Sequence, residues 1–176
     1  MLERDFHADQ YNQKWVTDVT EFKYSTEDGA IKKIYLSAIL DLCDRRPVAY
    51  VIGDSNNNDL VFQTFDKALE ANPDAHPLFH SDRGFQYTNK TFHAKIMEAD
   101  MTQSMSRVAH CLDNAPMEGF WGILKREMYY GRKFTSRQEL VNAIENYIKY
   151  YTYDRPQRCL GILTPSEYHE KLANVA

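Results

Sequence analysis

The chain of 176 residues is long enough for one domain with a full hydrophobic core, held together without disulfides or metal staples. Its composition is 43% hydrophobic and 26% charged, which is ordinary for a globular protein and excludes a disordered or fibrous chain. The net charge of −4 argues against a uniformly basic nucleic-acid-binding protein. The charge is uneven, however: residues 119–158 carry eight Lys or Arg against four Asp or Glu, so this basic segment could face phosphates.

The sequence also indicates the cellular compartment. The cysteines, Cys43, Cys111 and Cys159, are far apart and form no CxxC pair, which favours reduced thiols over a disulfide framework or a zinc site. No apolar run is long enough to span a membrane, and the first ten residues, MLERDFHADQ, are not typical of a signal peptide. We therefore expect a cytoplasmic protein with no membrane partner.

The first part of the chain predicts an antiparallel meander. Residues 1–13 show no periodicity and indicate an extended arm. Three segments rich in β-branched and aromatic residues then predict strands: 15–24, 31–42 and 48–52. The first two are separated by Asp28-Gly29, a pair that favours hairpins, and the last two by the polar segment 44–47.

Helices alternate with short strands in the remainder. The predicted strands are His76–Ser81 and Thr102–Met105, and the predicted helices begin near residues 59, 88, 113, 136 and 164. Asp59 is the expected cap of the first helix, while Ser136 with Glu139 and Thr164 with Glu167 have the spacing of capping boxes. Because His76–Ser81 enters from a helix, it should lie parallel to the first strand.

This order of elements predicts an α/β fold. A five-stranded mixed sheet would combine the three-strand antiparallel meander with two parallel strands and carry helices on both faces. We expect an N-terminal arm at residues 1–13, a catalytic-type core at 14–155 and a tail with a short helix at 156–176.

The helix that begins near Asp113 has two distinct faces. Asp113 and Asn114 are good N-cap residues. One apolar stripe at helical spacing is expected to be buried: Met117, Phe120, Trp121, Leu124 and Met128. Glu118, Gly122 and Lys125 recur on a different stripe, so a carboxylate and a cation share one face of this helix. A solvated amphipathic helix would give the same pattern.

Asp18, Asp82 and Glu118 are the candidate metal ligands. Asp18 lies within a predicted strand, where an aspartate needs a partner or a metal unless it is on an exposed edge. Asp82 follows the fourth strand, where ligand sites gather in α/β sheets, although aspartate is also common in turns. Three carboxylates brought together would repel one another unless cations intervene, and two Mg²⁺ ions about 4 Å apart would relieve this repulsion. Spacing alone does not decide between these readings.

Four motifs identify a family. WVTDVTEF, HSDRGFQY, SMSR…LDNAPMEGFWGILKRE and YDRPQRCLGILTPSEY, in this order, resemble the integrase-like core of bacterial insertion-sequence transposases. These enzymes belong to the DDE group and are similar in type to retroviral integrases. The resemblance implies a ribonuclease H-like fold, with Asp18, Asp82 and Glu118 as catalytic residues that hold two Mg²⁺ or Mn²⁺ ions. It implies metal-dependent DNA strand cleavage and strand transfer, as in transposition and integration.

The resemblance also implies DNA contacts. Lys125, seven positions after Glu118, matches a cation that grips the element-end DNA. Other residues match the segments around the second aspartate and before the glutamate: His80, Ser81, Gly84, Gln86, Tyr87, Arg107, Asp113 and Asn114. We expect phosphate contacts from His80, Arg83, Arg107 and Lys125, and a further DNA contact from Asn114. Trp121 and Tyr87 could stack on a splayed base, although packing would suit them equally.

The chain departs from the family pattern in two places. Gly119 stands where the family usually has serine, directly after the catalytic glutamate. Such transposases normally carry an N-terminal helix-turn-helix region, which this sequence lacks, so we expect a catalytic fragment or a truncated copy. We expect a homodimer or higher oligomer on DNA, in the bacterial cytoplasm and associated with the nucleoid. A ribonuclease H-like nuclease and an inactive DNA-binding remnant are the alternatives.

Overall fold

The computed structural model describes residues 5–106 and 114–174, and it contains one five-stranded mixed sheet. The strands are β1 (Lys14–Ser25), β2 (Ile31–Asp41), β3 (Pro47–Gly53), β4 (Leu78–Ser81) and β5 (Thr102–Met105). Their order across the sheet is β3-β2-β1-β4-β5. Strands β1, β2 and β3 pair in antiparallel fashion, whereas β4 lies parallel to both β1 and β5. The predicted meander and the predicted parallel strands are both confirmed.

Five α-helices accompany the sheet in the described part of the chain. They are α1 (Asn58–Ala71), α2 (Lys90–Glu98), α3 (Ala115–Leu124), α4 (Arg137–Tyr153) and α5 (Pro165–Ala173). Helix α3 continues into a π-helical turn, Lys125–Tyr129, which the sequence did not predict; here the Tyr130 N–H donates to the Lys125 carbonyl at 2.7 Å. A short 3-10 turn, Arg158–Leu160, precedes α5. No helix within 5–106 and 114–174 is long and apolar enough to cross a membrane.

One predicted helix cap, Asp59, is wrong, while Asn114 occupies a predicted N-cap position without making a capping bond. Helix α1 is capped by Asn57, whose side chain accepts from the Leu60 N–H, while Asp59 lies inside the first turn. Asn57 has the extended backbone of an N-cap, and an aspartate in the first turn still favours the helix dipole. Asn114 precedes α3 but makes no side-chain capping bond. Its partner in the prediction, Asp113, lies outside the described residues.

The two predicted capping boxes differ in how complete they are. Thr164 and Glu167 form the full reciprocal box at the start of α5. At α4 only half of the box is present, because Ser136 accepts from the Glu139 N–H while the Glu139 carboxylate binds the backbone and hydroxyl of Thr135. The Glu139 carboxylate thus accepts from the Thr135 N–H instead of the Ser136 N–H of a full box, and it still satisfies a free backbone donor where the helix begins.

Each face of the sheet has its own apolar core, as helices on both faces require. Because side chains alternate along a strand, Trp15 and Val16 of β1 enter different cores. The core under α3 and α4 includes the predicted stripe of α3, with Met117, Phe120, Trp121, Leu124 and Met128 all buried. The core under α1 and α2 is built around Phe65, Phe79 and Phe92. Asp18 has the same parity as Val16, so its side chain leaves the sheet on the α3 side.

The segments expected to be an arm and a tail both contact the core. Ala8 is buried in the α3–α4 core, and the backbone N–H of Asn12 donates to Asp41 Oδ2. In α5, His169 Nδ1 lies 2.7 Å from Oδ2 of Asp44, a carboxylate with no solvent exposure. The boundaries at residues 13 and 155 stay predictions, and the tail is tied to the β2–β3 turn.

Candidate active site

The pairing of β1 with β4 brings two predicted catalytic carboxylates to the same level of the sheet. Val16 pairs with His80 at the last registered position of these parallel strands. Asp18 lies two residues after Val16, and Asp82 lies two residues after His80. Adjacent strands lie about 4.8 Å apart, so the two residues are neighbours where β4 ends. The charge of Asp82 raises the pKa of Asp18, as this proximity requires.

The loop after β4 fixes Asp82 through its backbone. Asp82 Oδ1 accepts a hydrogen bond from the Gly84 N–H at 2.8 Å. A Cβ on Gly84 would lie 3.0 Å from that same oxygen and 3.0 Å from Gln86 Oε1, too close for either side chain to stay in place. Gln86 is held in turn by a hydrogen bond from its Nε2 to Asn56 Oδ1. The motif HSDRGFQY therefore favours glycine at position 84, because the Asp82 carboxylate lies against the backbone of that residue.

Asp18 is mostly buried, and its ionisation is unfavourable in the isolated chain. Burial, the largest cause, raises its pKa to about 6. A backbone hydrogen bond at Val19 and the side-chain hydrogen bond from Trp121 lower the pKa, while the negative charges of Asp82 and Glu118 raise it further. Asp18 is still mostly ionised at neutral pH, and a nearby cation would offset the cost of burying its charge.

Trp121 is the direct partner of Asp18. Its indole Nε1–H donates to Asp18 Oδ2 at 3.0 Å, although the two residues are 103 positions apart in sequence. The indole is packed against the ring of Phe120, and Phe120 meets Tyr151 of α4 edge to face. Sequence reasoning missed this pair. The apolar stripe of α3 predicted only that Trp121 is buried, and no sequence signal linked it to Asp18.

Glu118 extends from the first turns of α3 and is exposed. The helix is held over β1 by the Asn114 side chain, whose Nδ2 donates to the Thr17 carbonyl at 3.1 Å. Glu118 is close enough for its negative charge to raise the pKa of Asp18. Within the described residues, however, no three His, Cys, Asp or Glu side chains are grouped so that they could hold a metal ion. The three predicted ligands thus share one side of the sheet without forming a closed site.

Lys125 continues the same face of α3 away from the carboxylates. Its Nζ lies 5.2 Å from the centre of the Phe22 ring, on a β1 residue of the same parity as Asp18. Partial burial lowers the Lys125 pKa, against the charges of Glu21 and Asp18, which raise it. The charge of Asp18 therefore reaches Lys125, and the contact of this lysine with DNA stays a prediction.

Four of the residues that the sequence offered as DNA contacts are buried in the fold. His80, Tyr87, Asn114 and Trp121 are all buried, with at most 6% of each residue exposed. His80 lies in β4, between β1 and β5, and its ring nitrogens hydrogen-bond with the hydroxyls of Ser104 and Ser106. The sequence placed His80 two residues before Asp82 but could not show that its strand is internal. Their burial places these side chains within the fold of the isolated chain, and their contacts with DNA stay predictions.

Arg83 keeps its predicted position at the surface. The residue is exposed, and its Nε donates to the Ser106 carbonyl at 2.8 Å. Arg107, the other predicted phosphate contact, lies outside the described residues. Phe85 was not predicted as a site residue, yet 59% of it is exposed three positions after Asp82. The signal was a large apolar residue in an otherwise polar turn.

The family of the chain follows from comparison with known proteins. The sequence model of the integrase core domain matches residues 8–111, and a second integrase core domain model matches residues 118–172. The chain belongs to the integrase core domain family.

The relatives of the chain include proteins of insertion sequences. InsK of insertion sequence element IS150 from Escherichia coli (strain K12) is 40% identical over 97% of this chain, which spans 59% of the InsK length. A transposase-like protein of Haemophilus influenzae is 40% identical over 99% of this chain and 78% of its own length. The transposase InsF of insertion sequence IS3A, also from Escherichia coli K12, is 31% identical over 97% of this chain and 58% of its own length.

Solved structures give the fold. The HTLV-2 integrase catalytic core domain, solved with magnesium in a dimeric form, matches 93% of this chain and 99% of its own, with a TM-score of 0.67 at 16% identity. A simian T-cell lymphotropic virus intasome, in complex with a regulatory subunit of PP2A, gives a TM-score of 0.75 at 15% identity, over 93% of this chain and 56% of that one. The fold is ribonuclease H-like, as the sequence resemblance implied.

Proposed function

We propose that this chain is the catalytic core of an insertion-sequence transposase, which cuts a DNA strand at an element end and joins it to target DNA. Membership of the integrase core family and the kinship with a transposase support this proposal. One observation carries it: Asp18 on β1 and Asp82 just after β4 each lie two residues beyond the paired Val16 and His80, and the charges of Asp82 and Glu118 both act on Asp18.

The proposed cofactor is Mg²⁺ or Mn²⁺, with two ions in the active complex. The donors fit such ions, because hard divalent cations prefer carboxylate oxygens and the buried Asp18 is costly to ionise without one. Asp18 and Asp82 would hold the metal, and Glu118 would complete the site by turning inward from its exposed position. When bound, the cation would polarise the scissile phosphate and lower the pKa of the attacking water. The magnesium complex of the HTLV-2 integrase core agrees with this choice of ion.

The residues of the chain have separate tasks in this proposal. The Gly84 N–H holds the Asp82 carboxylate, and the Trp121 N–H holds that of Asp18. Lys125 and Arg83 remain the proposed phosphate contacts, because both keep a charged group at or near the surface around the carboxylates. Phe85 joins them as an exposed ring on which a base could stack.

We further propose that the active complex holds at least two copies of the chain. Joining two element ends to one target brings two sets of catalytic carboxylates to the DNA, and the HTLV-2 core was solved in dimeric and trimeric forms. Such a complex would be associated with the bacterial nucleoid while it is bound to DNA.

The proposal is tested by incubating the chain with supercoiled plasmid and a labelled DNA duplex that has a free 3′-hydroxyl, with Mg²⁺, Mn²⁺ or a chelator. We expect nicked or joined products only with metal, and their loss in Asp82→Asn. Asp74→Asn makes the same charge change at an exposed position outside the site and should leave the products unchanged. Cleavage restricted to an RNA–DNA hybrid would favour the nuclease alternative. DNA binding without products in any metal would favour the inactive remnant.

A further inference from the structure

The hydrogen bond between Trp121 and Asp18 lies in packing that restricts the movement of the indole ring. Donor and acceptor are 3.0 Å apart, and only 6% of Trp121 is exposed. The indole cannot swing away freely, because its ring lies 5.0 Å from that of Phe120, which is wedged against Tyr151 of α4 at 4.9 Å. A hydrogen bond to a charged acceptor inside such packing is stronger than one between neutral groups.

The contact also acts on the group that the chemistry needs. An indole N–H is a donor only, so Trp121 cannot compete with the carboxylates as a ligand. It occupies Oδ2 of Asp18 and thereby fixes the rotation of the carboxylate about its terminal bond, a torsion that is otherwise broad. A metal ligand is commonly oriented in this way by a second hydrogen-bonding residue behind it.

We propose that Trp121 is the positioning residue of the site: its indole N–H holds Asp18 Oδ2 so that the carboxylate is oriented in advance for a divalent cation shared with Asp82. This inference rests on the proposed function, because it assigns Asp18 to a metal. The inference goes beyond the proposed function because it assigns a role to an aromatic donor of α3 that lies behind the ligand. A purely apolar side chain at this position would satisfy the packing but could not donate.

The chain supplies an internal reference for this contact. It contains only two tryptophans, Trp15 and Trp121. Trp15 is fully buried, and its Nε1–H also meets an aspartate, Asp41 Oδ2, at 3.2 Å, with Asn12 Oδ1 as a second acceptor at 3.2 Å. Trp15 enters the core on the opposite face of the sheet. The two indole N–H groups therefore report on two buried aspartates, of which only one belongs to the proposed site.

The first measurement follows both indole N–H signals by NMR in the full chain, labelled with ¹⁵N-tryptophan, during titration with Mg²⁺. We expect the Trp121 signal to shift in a saturable way and the Trp15 signal to stay in place. In Asp82→Asn the shift of Trp121 should need a much higher Mg²⁺ concentration. A Trp121 signal that ignores Mg²⁺ in a chain that does bind the ion would overturn the inference.

The second measurement removes the donor and keeps an aromatic ring. Free Mn²⁺, counted by electron paramagnetic resonance, gives the affinity without relying on tryptophan. We expect Trp121→Phe to weaken Mn²⁺ binding about tenfold, as the loss of one hydrogen bond to a charged group implies. Trp15→Phe removes the other indole N–H, which lies on the opposite face of the sheet, and should leave the affinity within about twofold. Equal weakening in both variants would reduce Trp121 to a packing role.

The results separate this inference from the proposed function. If the unchanged chain forms metal-dependent DNA products and Trp121→Phe binds Mn²⁺ as well as the parent, the positioning role is wrong and the transposase proposal stands. If the unchanged chain binds neither ion and forms no product, the proposed function fails, and the inference fails with it. For the positioning role, we expect Trp121→Phe to lower kcat while KM for DNA stays unchanged.

Discussion

Asp18 is the carboxylate of the site whose pKa is raised most clearly. Burial, then Asp82 and Glu118, raise its pKa to about 6 from the ordinary value of 3.8. A folded-state pKa above the unfolded value means that the folded chain prefers the protonated acid. The resulting stability is fully present below about pH 4 and is lost as the pH rises to about 6. The site therefore weakens the fold at neutral pH whenever no cation is bound.

This raised pKa predicts that Asp18→Asn stabilises the metal-free chain. Asparagine removes the charge, and its amide oxygen can still accept from the Trp121 N–H. In a chelating buffer at pH 7.5, we expect the free energy of unfolding to rise by on the order of 1–3 kcal/mol. Urea denaturation at pH 7.5 and pH 4 measures the effect, which should nearly vanish at the lower pH. A variant that is less stable than the parent at pH 7.5 would contradict the burial argument.

Gly84 gives a second prediction at the scale of one residue. In Gly84→Ala the new Cβ would lie 3.0 Å from Asp82 Oδ1 and 3.4 Å from a ring carbon of Tyr87. We expect about 1–3 kcal/mol of lost stability and a loss of metal-dependent DNA joining of at least about tenfold. Urea denaturation and the plasmid assay check the two parts separately. Joining at the parental rate would show that Asp82 does not depend on this loop.

The carboxylates were predictable from the sequence, whereas their partners were not. Asp18 is unusual within a strand, Asp82 directly follows one, and the motifs around both are specific. The role of Trp121 depends on a contact across 103 residues, and burial of the residue is the only property that its apolar stripe predicts. The burial of His80 likewise depends on β5 adding to the sheet beyond β4. The role of Trp121 and the burial of His80 both depend on contacts between segments that are far apart in sequence.

At the scale of the element, α3 carries Glu118 and Trp121, and Lys125 follows one turn later at the start of the π-helical turn. Its π-helical turn begins at Lys125 and ends near β1, where the Tyr129 hydroxyl binds the backbone of Lys23. Such turns widen a helix locally, are costly, and are often found at functional sites. The apolar stripe of this helix was predictable from its period, but the π-helical turn has no comparable sequence signal.

Gly119 is the weak point of α3, and replacing it should strengthen the helix. A Cβ at this position meets nothing within 4 Å, and the residue is exposed in the described structure. We expect Gly119→Ala to raise the free energy of unfolding by about 0.5–1 kcal/mol, because glycine loses more backbone freedom in a helix. Thermal or urea unfolding measures the gain.

Gly131→Ala is the matched control for that substitution. Its Cβ would also meet nothing within 4 Å, but its φ of +79° is strained for alanine, so the control should lose stability. A loss of stability in Gly119→Ala as well would mean that the start of α3 departs from regular helix geometry.

At the scale of the whole molecule, α5 closes the fold through a buried acid. Asp44 has no solvent exposure; its Oδ1 accepts from the Arg46 N–H and its Oδ2 meets His169. The order of strands and helices was predictable from their periodicity, and so was the capping box of α5. The docking of α5 on the β2–β3 turn was not, because Asp44 and His169 are 125 residues apart and neither has a periodic neighbour.

This docking predicts that His169→Ala destabilises the whole domain. Loss of the imidazole leaves a buried carboxylate oxygen short of a partner, which costs about 1–3 kcal/mol. His93→Ala is the matched control, since His93 is exposed and its ring binds only the Gln103 side chain within the described contacts. Urea denaturation should show one cooperative transition at lower urea for His169→Ala and little change for His93→Ala. Equal midpoints would contradict the role of α5 as a structural part of the core.

The central claim, that Asp18 and Asp82 jointly hold a divalent cation, is tested most directly by anomalous diffraction. Crystals of the chain soaked in Mn²⁺ locate the ion without assuming any activity. We expect an anomalous peak within about 2.2 Å of carboxylate oxygens from both aspartates, with Glu118 turned toward it. Mn²⁺ bound elsewhere, or a peak that touches neither aspartate at saturating metal, would contradict it.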